Sequence, residues 1–313
     1  MTPVKALLIG EGETLDATIR RFWELDGSVE LLGWVGPRGR STSVAQRWNL
    51  GGLEEGGTIL EGLRPDHVVL AFGLDERDGV SLAIRHFADS SASVWMVPDF
   101  SPSCLMGGAV SQAWDGPHGH PGLRPAQRLA KRALDLFAGA SLILIAAPLM
   151  AVIALAVKAT SSGPVLFRQL RVGEAGRLFW IYKFRTMDPA QGDSHGVEPK
   201  GLDDPRITRW GRWLRRASLD ELPQLFNVLR GDMSLVGPRP ELPMVAAGYS
   251  SWQRERLAVP QGITGWWQVR GRPHPMSEHT LLDLYYVRKC SLWLDLKILL
   301  MTPWAVFRGK GAF

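Results

Sequence analysis

Cysteine is almost missing from this sequence. Cys104 and Cys290 are the two in 313 residues, too few for a disulfide framework or a cysteine-rich zinc site. The seven histidines are scattered, with no HExxH and no paired Cys/His spacing, which removes the zinc-hydrolase reading. His118 and His120 share one loop, and two lone histidines in a loop are not read as a metal site. No charged n-region followed by an apolar h-region opens the chain, so secretion is not expected and a reducing, cytosol-facing compartment is. Glycine (34) and proline (21) stand at ordinary levels, which excludes collagen-like and disordered chains. At 45% apolar and 21% charged, the chain can bury two modest cores.

Charge is unevenly shared. Residues 1–120 carry 9 Lys/Arg against 16 Asp/Glu, a net of −7, and residues 121–313 carry 27 against 15, a net of +12. Opposite signs suggest two domains with different partners, the basic one suited to phosphates of nucleic acid, lipid head groups or nucleotides. An inert basic surface is the plain alternative.

Within residues 1–115, Val4–Ile9, Val29–Val35, His67–Phe72 and Ser93–Val97 read as strands. Thr14–Leu25 and the stretch near Val80–Ala88 read as helices. Strands alternating with helices imply a doubly wound parallel sheet, a Rossmann-like domain. Gly10-Glu11-Gly12 begins like a dinucleotide fingerprint, but position 15 is Leu. Glu11 and Glu13 also put negative charge where a pyrophosphate would sit. A regulatory or scaffolding domain is the better reading. Residues 116–125 form a Gly/Pro-rich linker, and the second domain is placed at 126–313.

Leu136–Val157 is a run of 22 residues without charge, about 33 Å as a helix and enough to cross a bilayer. Pro148, just past its middle, favours a kink. Both flanks are basic, Arg124, Arg128, Lys131 and Arg132 on one side and Lys158, Arg168 and Arg171 on the other, so the positive-inside rule gives no asymmetry. A re-entrant helix that bends at Pro148 and returns to the same face satisfies both facts. Near the C-terminus, Leu281, Leu282, Tyr285, Tyr286, Leu292, Trp293, Leu296, Leu299 and Leu300 recur at helical spacing, with Arg288, Lys289 and Lys297 interleaved. A helix lying in the lipid interface and ordinary core packing explain that stripe equally well.

The chemistry is densest between residues 163 and 271. Asp220-Glu221 lies among Arg212, Arg215, Arg216, Arg230 and Arg239, basic neighbours expected to keep Asp220 ionised, as a nucleophile needs. A carboxylate pair can also hold Mg²⁺ against phosphate. The competing reading is a helix cap, because Ser218-Leu-Asp-Glu221 matches a capping box. Pro223 fits better in the first turn with Asp220 as N-cap, and either way the pair marks the positive end of a helix. In Gly237-Pro-Arg-Pro240 two prolines stiffen the backbone around Arg239, either to present it to a phosphate or as a rigid turn. Lys183 and Arg185 alternate about Phe184 and in a strand would share a face, lining a pyrophosphate site or facing solvent. Arg206, in Asp204-Pro-Arg-Ile-Thr208, is a further candidate phosphate contact.

Taken together, five blocks in order resemble the bacterial sugar transferase family, the monotopic polyprenyl-phosphate phosphoglycosyl transferases. They are the apolar segment with its central proline, Lys183-Phe-Arg-Thr-Met187, Asp220-Glu-Leu-Pro-Gln224, Gly237-Pro-Arg-Pro240 and Gly262-Ile-Thr-Gly265. The resemblance covers residues 126–313 and implies an α-rich, membrane-associated catalytic domain with a re-entrant helix. It implies transfer of sugar-1-phosphate from a UDP-sugar to undecaprenyl phosphate, with release of UMP, at the cytoplasmic face of the bacterial inner membrane. The product would start exopolysaccharide, capsule or O-antigen assembly. Asp220 would form a covalent phosphosugar intermediate, Glu221 with Asp220 would place Mg²⁺, and Arg239, Lys183 and Arg185 would contact phosphate. Partners are then the two substrates and membrane lipid, with a homo-oligomer allowed.

Three departures stand out. Ala147 precedes Pro148 where the family commonly has Ser. Pro260-Gln261-Gly262 replaces a basic residue followed by Pro-Gly. Long relatives place transmembrane helices ahead of the Rossmann-like domain, and without them that domain is expected in the cytosol. Two other classes fit the residues less well. A catalytically inactive, membrane-anchored scaffold would have no need of Asp220, Glu221 and Arg239. A nucleic-acid binder would carry its arginines on a solvated helix rather than beside carboxylates and apolar runs.

Overall fold

The structure, a computed structural model, describes residues 3–23, 29–37, 48–72, 77–87, 90–96, 123–160, 162–188, 204–270 and 276–307. Residues 97–122 lie outside this set, and with them Cys104, His118, His120 and most of the expected linker. The chain divides into two units. The first is Met1–Gly122 with Leu170–Phe179 and Glu241–Arg254, and the second is Leu123–Gln169, Trp180–Pro240 and Glu255–Phe313.

In the first unit β1 (Val4–Gly10), α1 (Gly12–Trp23), β2 (Val29–Val35), β3 (Asn49–Gly51), α2 (Gly56–Leu63), β4 (His67–Ala71), α3 (Arg77–Phe87) and β5 (Ser93–Met96) follow in order. The strands build one sheet, β3-β2-β1-β4-β5, with every neighbouring pair parallel. This is the order of a doubly wound sheet, as the alternation of elements implied. β1 is central and covered on both faces, so Ala6, Leu7, Leu8 and Ile9 are all buried and the run reads as continuously apolar. A Cβ on Gly10 would lie 1.9 Å from the Ala71 carbonyl oxygen. Close packing of β1 on β4 therefore accounts for the first glycine of the Gly10-Glu11-Gly12 turn.

The rest of the chain forms α4 (Pro125–Thr160), β6 (Leu166–Val172), β7 (Leu178–Phe184), α5 (Arg209–Arg216), α6 (Gln224–Arg230), β8 (Ser234–Val236), α7 (Pro243–Ala247), α8 (Ser251–Arg254), β9 (Gly262–Thr264), α9 (Trp266–Arg270), α10 (Met276–Lys289) and α11 (Leu292–Phe307). Of these, α7, α8 and the adjoining ends of β6 and β7 belong to the first unit. The fold is mixed α/β, with a parallel sheet and one long apolar helix.

That helix, α4, carries Pro148 in its interior. Among the described residues it is the one helix long and apolar enough to cross a membrane. Phe137, Leu144, Ile145 and Leu155 are more than 70% exposed, so α4 is not the core helix of a soluble domain. Its ends are nevertheless docked. At the start, Asp135 accepts hydrogen bonds from Ser234 Oγ (3.0 Å) and the Leu235 amide (2.9 Å). Arg132 donates to the carbonyls of Val228 (2.6 Å) and Leu229 (2.7 Å) in the last turn of α6. Toward the other end, Ile153 and Val157 pack with Phe184 and Leu214, flanked by Leu219 and Leu222.

Of the C-terminal stripe Tyr286 is buried, whereas Leu281, Tyr285, Leu292, Trp293, Leu296 and Leu300 are exposed. Core packing in α10 and α11 falls instead to Leu284, Leu294 and Ile298, which lie between those positions.

Candidate active site

The carboxylate pair sits in a tight 3-10 turn, Leu219–Glu221, rather than in a helix. Ser218 opens the turn at φ 53°, ψ 21°, a left-handed conformation that costs a non-glycine residue about 1–2 kcal/mol. Its side chain makes no capping hydrogen bond, and α6 starts afterwards with Pro223 as its N-cap. Both capping expectations are thereby corrected: neither Ser218 nor Asp220 caps a helix. Leu219 and Leu222 point the turn's apolar side at the packed end of α4, and Asp220 and Glu221 fall between these two anchors.

Glu221 is the hub of the ion pairs. Its Oε1 accepts from Lys183 Nζ at 2.8 Å and from Arg239 Nη2 at 2.6 Å, and Oε2 lies 3.4 Å from Arg239 Nη1. Burial alone would raise the Glu221 carboxyl. The Arg239 and Lys183 cations, with their hydrogen bonds, overcome that and hold it well below the usual carboxylate range. Asp220 goes the other way. Burial, and then the negative charge of Glu221, push its carboxyl up to about 6 against the pull of Lys183, Arg215 and Arg239. The basic neighbours do pull the Asp220 carboxyl down, as the sequence led one to expect, but burial and Glu221 outweigh them. At neutral pH Asp220 is still mostly a carboxylate, and a basic one. Among the described residues none donates it a hydrogen bond, so its oxygens stay available.

Each partner is set by local structure. Lys183 comes from β7, which Asn227 of α6 holds by two bonds: its Nδ2 donates to the Trp180 carbonyl (2.7 Å), and its Oδ1 accepts from the Tyr182 amide (3.2 Å). Asn227 is fully buried. No motif marks it in the sequence, and its one local signal is a polar residue on the apolar face of a short helix. Arg215, on α5, donates through Nε to Thr186 Oγ1 (2.9 Å), and burial lowers its pKa. Thr208 caps α5 by accepting from the Gly211 amide at 2.9 Å.

Arg185 follows the last residue of β7, Phe184, and is buried there with its amide on the Val165 carbonyl. Arg206 is drawn to Asp204, with Nη2 2.7 Å from Oδ2. Pro148 lies on α4 outside this cluster, in its exposed middle. The two glycine motifs meet in the parallel pair β8–β9. A Cβ on Gly237 would lie 2.2 Å from the Pro260 carbonyl oxygen, and one on Gly262 would lie 2.1 Å from the Gly237 amide. Both positions need glycine for this approach. Gln261, at the departure from the family pattern, is buried and donates to the Arg256 (3.0 Å) and Val259 (2.9 Å) carbonyls.

The described residues contain no cluster of three or more metal-ligating side chains. Two hard carboxylates completed by substrate phosphates and water are, however, a usual Mg²⁺ environment. The open oxygens of Asp220 and the weakly engaged Oε2 of Glu221 fit that donor set.

Residues 126–309 match the sequence model of the bacterial sugar transferases. The chain is 47% identical over 197 residues to an undecaprenyl-phosphate glucose phosphotransferase of Komagataeibacter xylinus, covering 59% of this chain and 37% of that protein. It is 35% identical over 268 residues to the UDP-glucose:undecaprenyl-phosphate glucose-1-phosphate transferase of Escherichia coli K12, covering 79% and 56%. The protein of that same description from Caulobacter vibrioides is 47% identical over 204 residues, covering 62% and 76%. The chain thus spans about half or less of the length of the first two relatives.

Proposed function

This chain belongs to the bacterial sugar transferase family, and we propose that it moves sugar-1-phosphate from a UDP-sugar to undecaprenyl phosphate, releasing UMP. The observation that carries the reading is the buried Asp220 beside a Glu221 already neutralised by Lys183 and Arg239. A basic, unbonded carboxylate next to two phosphate-binding cations is equipped for attack on phosphorus. An Asp220 oxygen attacks the β-phosphorus, the bond to the bridging oxygen breaks, and UMP leaves with the electron pair. An oxygen of undecaprenyl phosphate then attacks the same phosphorus, and the Asp220 carboxylate is regenerated. Arg239 and Lys183 hold the equatorial phosphate oxygens as negative charge gathers there. Asp220 and Glu221 would hold Mg²⁺, which when bound neutralises phosphate charge. The curated names point to glucose as the first sugar to test.

The membrane reading rests on α4. Asp135 and Ile153 are 18 residues apart, about 27 Å along a helix, yet both are buried against the same folded unit. A helix seated at both ends on one unit favours a re-entrant course at the cytoplasmic face of the inner membrane over a crossing. Leu219 and Leu222 then place Asp220 close to the lipid surface, where a polyprenyl phosphate is presented. The product would start an exopolysaccharide, capsule or O-antigen.

The test is UMP release by detergent-extracted protein over a panel of UDP-sugars, with and without undecaprenyl phosphate and Mg²⁺, beside Asp220→Asn. Release that needs lipid and metal and disappears in the variant supports the reading. Release that persists in Asp220→Asn overturns the covalent step.

A further inference from the structure

We propose that two buried ion pairs, Lys131–Asp295 and Arg256–Asp283, are positioning pairs that clamp the backbone of residues 236–239 and thereby fix the Arg239 guanidinium against Glu221. The proposal rests on the role given to Arg239 above. In each pair the cation ends on a carbonyl of the segment that presents Arg239. Lys131 Nζ donates to the Val236 carbonyl at 2.8 Å and to Asp295 Oδ2 at 2.7 Å. The Tyr286 hydroxyl donates its one proton to Asp295 Oδ1 at 2.6 Å and lies 3.1 Å from that same carbonyl. Three residues on, Arg256 Nη2 donates to the Arg239 carbonyl at 3.0 Å and to Asp283 Oδ2 at 2.6 Å. Between them β9 completes the grip: the Gly237 amide donates to the Thr264 carbonyl (2.9 Å), and the Gly262 amide donates to the Pro238 carbonyl (2.8 Å).

The chemistry of the segment explains why cations are used. Pro238 and Pro240 have no N–H, so a regular ladder cannot hold both sides of Arg239. The carbonyls remain, and a charged donor binds a carbonyl about twice as strongly as a neutral one. All four partners are at most 5% exposed. Replacing a buried ion pair by packed apolar residues is often neutral or stabilising, so two pairs on four residues are poorly explained by stability alone. What they supply is a fixed register for Arg239. Lys131 also lies on α4, four residues before Asp135, so the seat of the apolar helix and the position of Arg239 share one network.

Removing Arg256 alone would strand Asp283 in the interior, so the test uses the paired variant Arg256→Gln/Asp283→Asn, with Arg256→Lys as the conservative control. UMP release is measured for each in the wild-type and Arg239→Ala backgrounds. Misplacement of about 1 Å costs about 100-fold. The paired variant should therefore lose about 10- to 100-fold in kcat in the wild-type background and less than about twofold in Arg239→Ala, with Arg256→Lys recovering part of the loss. Equal fold-losses in both backgrounds overturn the proposal, because they mean that the pair does not act through Arg239. Amide exchange of the peptide covering 234–241, measured without substrate, should speed up about tenfold or more in the paired variant. If the wild type releases no UMP, the reading of the site has failed, and exchange alone decides the clamp: unchanged protection overturns it.

Discussion

Lys131 and Asp295 lie 164 residues apart in the chain, and their charged atoms are 2.7 Å apart in the fold. Burial raises the Asp295 carboxyl in spite of the opposing pull of Lys131. The pair therefore offsets a desolvation cost more than it adds a surplus. Lys131→Met should cost about 3–5 kcal/mol, because it leaves a buried carboxylate without its cation. Lys131→Met/Asp295→Asn should recover more than half of that in denaturant unfolding of the detergent-extracted chain. Equal losses in the single and double variants would show that the cost comes from packing around Lys131 instead.

Asp220 gives a prediction with a definite sign. Its carboxyl titrates near 6 in the fold against 3.8 ordinarily. At low pH both states are protonated and there is no penalty. As pH rises from about 4 to about 6 the unfolded chain releases its proton first, and the fold loses about 3 kcal/mol. Asn cannot ionise, so Asp220→Asn should be about 1–3 kcal/mol more stable than wild type at pH 7.5. That gain should vanish near pH 3.5, with unfolding followed in EDTA at both values. A variant no more stable at pH 7.5 would place Asp220 in a less costly environment than its burial implies.

Arg239 engages Glu221 through both terminal nitrogens, at 2.6 and 3.4 Å. Arg239→Lys keeps the charge but loses the fork, so UMP release should fall about 10- to 100-fold while the fold stays intact. Steady-state kinetics together with a thermal melt would check this. Wild-type rates in the lysine variant would mean that charge alone suffices.

The course of α4 is open to labelling. In a cysteine-free background, single cysteines at Arg128 and at Thr160 should both react with a membrane-impermeant maleimide in inside-out vesicles, and neither should react in intact spheroplasts. Reaction of one from each side would establish a crossing helix.

Much of the site was legible in the sequence because its motifs are local. Asp220-Glu221, Gly237-Pro-Arg-Pro240 and the apolar run are contiguous, and their residue types restrict what they can do. The parallel sheet was legible as well, since strand and helix periods differ and β1 is apolar on both faces. The capping reading was not decided by spacing. Ser218 adopts a left-handed conformation, and a four-residue pattern carries no information about that. Arg185 and Lys183 look equivalent two residues apart, but β7 ends at Phe184, and Arg185 beyond it is buried with its amide on the Val165 carbonyl.

The sequence by itself determined which groups are present: two carboxylates, a proline-braced arginine and an apolar helix with basic flanks, each specified by neighbours within about ten residues. Only the tertiary structure decided how those groups divide the work. Desolvation and ion pairing depend on side chains brought from 18 to 164 positions away. Lys183 and Arg239 converge on Glu221 rather than on Asp220, and that choice leaves one carboxylate neutralised and the other basic. Lys131, which the sequence marks only as a basic flank, and Arg256, Asp283 and Asp295, which no local pattern singles out, become important because a cation taken out of water must find its counter-charge wherever the fold supplies one.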